Sequence, residues 1–523
     1  MSGEDRDSFA RLVWAEWTKL RSVRAWLITL IAAAVTMTVF SVLSAAGERR
    51  NCDPAGCPAV VVGPGGEAVA DSYELVGRPL TGNGTITVEL TSLTGLLPPP
   101  GHSFGQPVPP AEPLSAGHPG VEPWAKAGLI ITASTRQGAP YAAVMLAADH
   151  GVRFQDDYTG DIAGPDDTVA PGSPLWLRLT RAGDAVTAYV LAGRSGWTRI
   201  GAADLSGLPA TAEAGLFVTS PQDSQMTDHP FVTSGADGPS LATATFAHLT
   251  VHGAGTDGDG LSGLTGRTIG GPNGDYPALT GSYTSSGDGS YRVSGSGDIA
   301  PEVGGVEGSG VTIDDTLGGW FFALIAVIAL GAVSATAEYR RGLIRTTLAA
   351  TPRRGRVLAA KAVVIGVSTF ALTLPAAAIS LIVGKRVLLA NHNLVYPVGT
   401  LTEARVVVGT AGLLAGAAVF ALALGVILRR SSGAITIGVV AIVLPVLLFQ
   451  ALPAGAADWV LRVTPTAAVS VQQTLPVYPQ VAVDYSPTAG YFPLAPWAGF
   501  AVLCAYTAAA LAVAAVLLRR RDA

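Results

Sequence analysis

The stretch EYRRGLIRTTLAATPRRGRVLAAKA, Glu338 to Ala362, follows directly on WFFALIAVIALGAVSATA, an apolar run that ends at Ala337. Seven basic residues against one acid fall between Glu338 and Lys361, immediately after a segment long enough to cross a bilayer. Hydrophobic length followed by dense positive charge is the signature of a helix leaving the membrane on its cytoplasmic side. The remainder of the chain is consistent with that reading.

Six long apolar stretches lie at 25–46, 318–337, 357–383, 406–428, 433–452 and 497–518 of the 523 residues. A hydrocarbon core needs roughly 20 apolar residues in a helix. The first stretch is too long for the roughly 7–15-residue core of a signal peptide, although Ser44–Gly47 offers small residues for cleavage. Arginine and lysine number five in 1–24, seven in 338–361, two at 429–430 and three at 519–521. The opposite short loops hold only Lys385, Arg386, Arg405 and Arg462. That bias places both termini in the cytoplasm and turns residues 47–317 outward. The part from 48 to 317 carries 12 basic and 29 acidic residues.

The expected fold is an α-helical membrane protein of six transmembrane helices. An all-β, jelly-roll-like sandwich stands outside the cell, inserted between helices 1 and 2. TITVEL, AGLIITAS, YAAVMLAA, LWLRLTRAGDAVTAYVLA, AGLFVTS and ATFAHLTVH are short β-rich runs bounded by turn residues, which sets the sandwich at about 71–253. A Gly/Ser-rich return segment, 254–317, leads back to the membrane with a strand pair expected around GSYTSSGDGSYRVSG. The outer segment 453–496 is too polar to span but has apolar pieces able to re-enter the outer leaflet. Residues 519–523 form a cytoplasmic tail.

Before the first span, Leu12, Val13, Trp17 and Leu20 make one apolar stripe on a helix over 1–24, with Arg11, Lys19, Arg21 and Arg24 set for lipid headgroups. In the opening stretch Tyr339, Leu343, Ile344 and Leu348 are apolar while Arg340, Arg341 and Arg345 are not. This is a short amphipathic helix that Pro352 ends before Arg353, Arg354 and Arg356. Glu338 is spaced to pair with Arg341 one turn on. An apolar face with a cationic rim, held between two spans, suits docking in a groove of another protein. The plainer reading is a topology signal that also touches anionic lipid.

AEWTKLRSVRAW together with SATAEYRRGLIRTTLAATPRRGRVLAAKAVV, in a six-span layout, resembles the permease subunits of bacterial type-2 ABC transporters. The resemblance covers about 1–50 and 318–523. It implies an interfacial elbow helix over Phe9–Arg24 and a coupling loop over 338–356 that sits in a cleft of a separate ABC ATPase. By position, Glu338, Tyr339, Arg340, Arg341, Leu343, Ile344, Arg345, Leu348, Arg353 and Arg354 would be the coupling residues. The long insert departs from the family's short first loop. The chain has no G-x-x-x-x-G-K-[ST], so ATP and Mg are expected on the partner and no catalytic residue or cofactor here.

PWAKAGLIITAS, YAAVMLAADHGVRFQ and WLRLTRAGDAVTAYVLAGRSGWTRIG look like concanavalin-A-like or laminin-G-like domains, which often bind carbohydrate. Trp124, Tyr158, Trp176 and Trp197 are then either sugar platforms or core. Cys52 and Cys57 are disulfide candidates just outside the first span. His248 and His252 share a face but lack a third ligand, so no metal site is expected. The small-xxx-small pattern Gly412–Gly416 permits close helix approach, within the chain or between subunits. Expected partners are the ATPase, a second permease subunit, membrane lipid and extracellular carbohydrate, with no nucleic acid. A path of apolar and small residues favours export of an amphiphilic or lipid-like cargo. A membrane-anchored glycan-binding receptor is the competing function.

Overall fold

The computed structural model describes residues 3–50, 59–98, 117–165, 175–192, 196–229, 232–253, 258–259, 263–270, 281–303, 310–340, 354–449, 452, 454–481 and 490–520. Its helices are α1 (Gly3–Ser22), α2 (Arg24–Gly47), α3 (Trp320–Arg340), α4 (Arg354–Ala390), α5 (Thr400–Leu428), α6 (Ser431–Ile442), α7 (Leu444–Leu448), α8 (Ala454–Val463) and α9 (Pro496–Arg520). Five of them, α2, α3, α4, α5 and α9, are long and apolar enough to cross a membrane. The expected fifth span, 433–452, is not one helix among the described residues: α6 has 12 residues and α7 has five. Pro445 is the cause. Its ring fixes φ and removes the N–H that the Ala441 carbonyl would otherwise receive.

Close approach of the long helices rests on glycine. A Cβ at Gly331 would lie 2.1 Å from the Ala418 carbonyl oxygen, so α3 and α5 touch backbone to backbone. Cβ atoms at Gly412 and Gly416 would meet Phe500 and Leu503 of α9, which makes that small-residue pattern an intrachain packing face. Between α5 and α9 lies the 3₁₀ segment Pro465–Gln472, every residue of it buried. The Gln472 side-chain amide donates to Thr410 Oγ1 at 3.1 Å. Gly409 and Gly499 leave the room it needs, since their Cβ atoms would collide with Val471 and the Ala467 carbonyl.

Between α2 and α3 the chain forms two antiparallel sheets packed face to face. One runs, in spatial order, Thr265–Ile269, Tyr73–Thr81, Thr211–Thr219, Lys126–Thr132, Tyr141–Ala147, Gly151–Asp156, Gly160–Ala163. The other runs Thr198–Asp204, Ala185–Ala192, Leu175–Ala182, Gly84–Leu97, Leu241–Gly253, Tyr291–Gly295, Ser282–Ser285, with two short edge pieces. Leu175, Leu177 and Leu179 are buried while Trp176 and Arg178 alternate outward, as a sheet with one wet face requires. Lys126–Thr132 is buried at all seven positions. Its far face is covered by Val69, Ile299 and Tyr158, and strands buried on both faces read as continuous apolar runs. The return segment is more than a linker: 265–269 edges the first sheet and 282–295 extends the second.

Candidate functional site

At the end of the bundle that carries α1, the chain gathers four charges, three of them buried. Lys361 Nζ, in the second turn of α4, donates to Glu16 Oε2 and to Glu338 Oε1, each at 2.8 Å. Lys19 Nζ donates to Glu16 Oε1 at 2.6 Å and to Glu338 Oε1 at 3.1 Å. Two carboxylates and two ammonium groups thus close a neutral ring that joins α1, the last turn of α3 and the first turns of α4. The Lys361, Glu16 and Glu338 side chains are only 8%, 7% and 7% exposed, so none could stay charged here without the others. Burial alone pushes the Lys19 ammonium down, but hydrogen bonds and charge from Glu16 and Glu338 hold it above its ordinary value.

The geometry follows from spacing. Leu12, Glu16 and Leu20 sit at i, i+4 and i+8, one stripe along α1. Leu20 is buried and Val13 packs against the bundle core. The expected stripe placed Trp17 there, yet Trp17 is 36% exposed and Glu16 is 6% exposed. The helix is rotated toward Glu16 because that carboxylate has cations to meet inside. Lys19 turns inward as well, away from the headgroup role its sequence position suggested. Glu338 meets Lys361 and Lys19; its expected partner Arg341 lies outside the described residues.

The two flanks of residues 341–353 are also anchored elsewhere. Tyr339 lies under the Arg429 guanidinium, 5.2 Å from ring centre to carbon, at the C-cap of α5. Arg354 Nη1 donates to the Leu518 carbonyl at 2.7 Å, placing a cation at the C-terminal end of α9. The stretch leaving α3 and entering α4 is therefore fastened to α1, α5 and α9.

A family model described as ABC-2 family transporter protein matches residues 204–523. The chain belongs to the ABC-2 transporter family. It is accordingly a multi-pass membrane protein of the permease type, a component that generally leaves ATP hydrolysis to an ABC ATPase partner. No curated protein sequence matches the chain. Two solved structures are similar to part of this ABC-2 protein. One is scytalido-glutamic peptidase with a peptide-based transition-state analogue, at 10% identity, 43% of this chain, 98% of that chain and TM-score 0.23. The other is a functionally unknown protein from Saccharomyces cerevisiae, at 10% identity, 38% of this chain, 83% of that chain and TM-score 0.19. At such scores neither likeness bears on fold or activity.

Of the residues expected to couple this ABC-2 chain to its ATPase, Glu338 and Tyr339 lie in the charged ring and under Arg429, and Arg354 caps α9. Arg340 ends α3. Arg341, Leu343, Ile344, Arg345, Leu348 and Arg353 lie outside the described residues, as do Cys52 and Cys57. Glu16 and Lys361 were not foreseen. The signal for Lys361 was present: a lone ammonium inside the apolar stretch 357–383 requires a buried counter-ion. In the sheet domain, Trp124 and Tyr158 are 7% and 1% exposed, so they are core rather than sugar platforms. Trp176 stacks on His248 and Trp197 lies under Arg178, both on the outward face. Among the described residues no cluster of three metal-ligating side chains occurs.

Proposed function

We propose that this chain is the transmembrane permease subunit of an ATP-driven exporter, and that 338–356 receives force from a separate ATPase subunit that holds ATP and Mg. The observation that carries the reading is the ring of Glu16, Lys19, Glu338 and Lys361. A push on a loop produces work only if the loop's feet are rigidly joined to the helices that must move. The ring supplies that joint, tying the elbow helix α1 to both α3 and α4. The same end of the bundle gathers the arginines and lysines that mark a cytoplasmic surface. The sheet domain then stands outside, near the exit. Two such subunits with two ATPases would switch the cavity between inward and outward states, moving an amphiphilic or lipid-like cargo. Carbohydrate binding by the sheet domain is a subsidiary part of the proposal, with Trp176 and Trp197 as its outward aromatics.

The test is copurification and crosslinking. Photocrosslinkers at Thr346 or Thr347 should capture an ABC ATPase from the cytoplasmic side, and Arg345→Glu with Leu348→Asp should abolish that capture. Labelling of Thr346→Cys from outside the cell, or purification of a stable complex with glycan and never with an ATPase, would overturn the reading in favour of an anchored receptor.

A further inference from the structure

A second cationic feature lies at the other end of the bundle, on the surface between α5 and α9. An open groove of about 420 Å³ is lined by Leu401, Thr402, Ala404, Arg405, Val408 and Trp497. Its walls are apolar and bare: Leu401 is 86% exposed, Trp497 56% and Val408 43%. Trp497 is steadied edge-on against Phe500, with ring centroids 6.2 Å apart. A valine so exposed on a membrane-spanning helix faces hydrocarbon, and a tryptophan beside it marks the level of the headgroups.

Arg405 is the exception in this wall. Its Nη2 donates to the Gln473 carbonyl, which holds the guanidinium in place. Its Nε is buried with no acceptor, and among the described residues no carboxylate reaches it. The nearest acid in sequence, Glu403, is taken by Lys385 at 3.0 Å. An arginine at the membrane interface is normally matched by an anion, and its planar fork suits phosphate or carboxylate oxygens. Thr402 lines the same groove.

We propose that this groove is a binding site for one anionic membrane lipid, its phosphate on Arg405 and its acyl chain along Val408 and Trp497. The charge commits the occupant. A zwitterionic lipid would bring its own cation to an already cationic site, and a second copy of this surface would bring a second arginine. The inference does not depend on the transport reading, because its test needs no ATPase.

The experiment is native mass spectrometry of the full chain in non-ionic detergent, with phosphatidylglycerol and phosphatidylcholine of matched chains supplied equally. The wild type should retain phosphatidylglycerol over phosphatidylcholine by about five- to tenfold, the size of one well-placed interfacial cation. Arg405→Gln should bring the ratio to parity, and Arg405→Lys should keep part of the preference. Val408→Trp fills the groove with Arg405 intact and should lose both adducts, which covers the case in which Arg405→Gln fails to fold. Parity in the wild type, or a preference that survives in Arg405→Gln and Val408→Trp alike, overturns the proposal. So does a Leu401→Cys disulfide dimer that forms in membranes and excludes lipid, which would make the groove a subunit seam.

Discussion

Lys361 is the residue on which the charged ring turns. It reaches both carboxylates from the buried side of the ring, at 2.8 Å each, while Lys19 meets them from the more exposed side. Replacing it with Met would leave Glu16 and Glu338 buried against each other with only the half-exposed Lys19 between them. Breaking a buried pair in this way costs about 3–5 kcal/mol, far more than the intact pair contributes over an apolar substitute. Lys361→Met should therefore lower the detergent melting temperature sharply, and adding Glu16→Gln should recover part of the loss. Additive effects of the two substitutions would show that the ring is not a coupled unit. The acid Glu338 was visible in the sequence as part of the basic stretch, but its partners were not. Lys19 lies 319 positions away and Lys361 lies 23 positions on, and no local spacing rule connects residues at either separation.

Among the elements, the broken fifth apolar stretch is the most informative. A run of twenty uncharged, mostly apolar residues satisfies every length criterion for a span, yet Pro445 stands inside it. Where a helix stops within a membrane protein, the freed carbonyls need another donor. Thr466 supplies it: its hydroxyl donates to the Ile442 carbonyl at 2.8 Å and approaches that of Ala441 at 3.3 Å. Thr466→Val should destabilise the protein by about 1–3 kcal/mol, the cost of stranding a buried acceptor. The same change in a Pro445→Ala background should cost much less, because α6 can then continue and satisfy its own backbone. A double-mutant cycle on thermal unfolding measures the difference, and equal costs in both backgrounds would refute the account. Hydropathy could find this stretch but not its break, since the compensating hydroxyl sits 24 residues beyond Ile442, in a segment that reads as too polar to span. The long helices were legible because bilayer thickness writes itself directly into sequence length. The face that α1 presents was misjudged because an apolar count cannot register a glutamate with buried partners.

For the whole molecule, two buried carboxyls of the sheet domain contribute to the response to acid. Burial raises the Asp71 carboxyl to about 6, partly offset by hydrogen bonds from the Gly138 amide and the Tyr158 hydroxyl. Burial and the charge of Asp298 raise Glu122 to about 8, against the pull of the Trp124 amide and Lys126. Each group holds its proton more tightly folded than unfolded, so each destabilises the fold once ionised. Stability from Glu122 is gained as pH falls from about 8 toward the ordinary 4.5, and from Asp71 as it falls from about 6 toward 3.8. The domain's unfolding transition, followed by tryptophan fluorescence in the full chain, should thus move to higher temperature between pH 8 and pH 6. Glu122→Gln should flatten that trend, and an unchanged slope would exclude Glu122 as its source. The strands of this domain were readable from alternation and turn residues. The second pairing partner of each strand was not: the strand pair expected within 254–317 is present, but that it extends the second sheet, and that 265–269 edges the first, was not readable. One further dimension of the molecule has a mechanical meaning. At 1.5 Å per residue the 37 residues of α4 extend about 55 Å, against about 30 Å of oil. Lys361 grips it near one tip, while just beyond the other tip Asn391 and Asn393 donate to the backbone carbonyls of Ala45, Ala46 and Glu48 at the end of α2. Pro375 divides the rod into arms of unequal length. If the transport reading holds, a tilt imposed at the lysine tip would be carried along this rod to the asparagine tip, and so to the end of α2, like an oar worked from its handle.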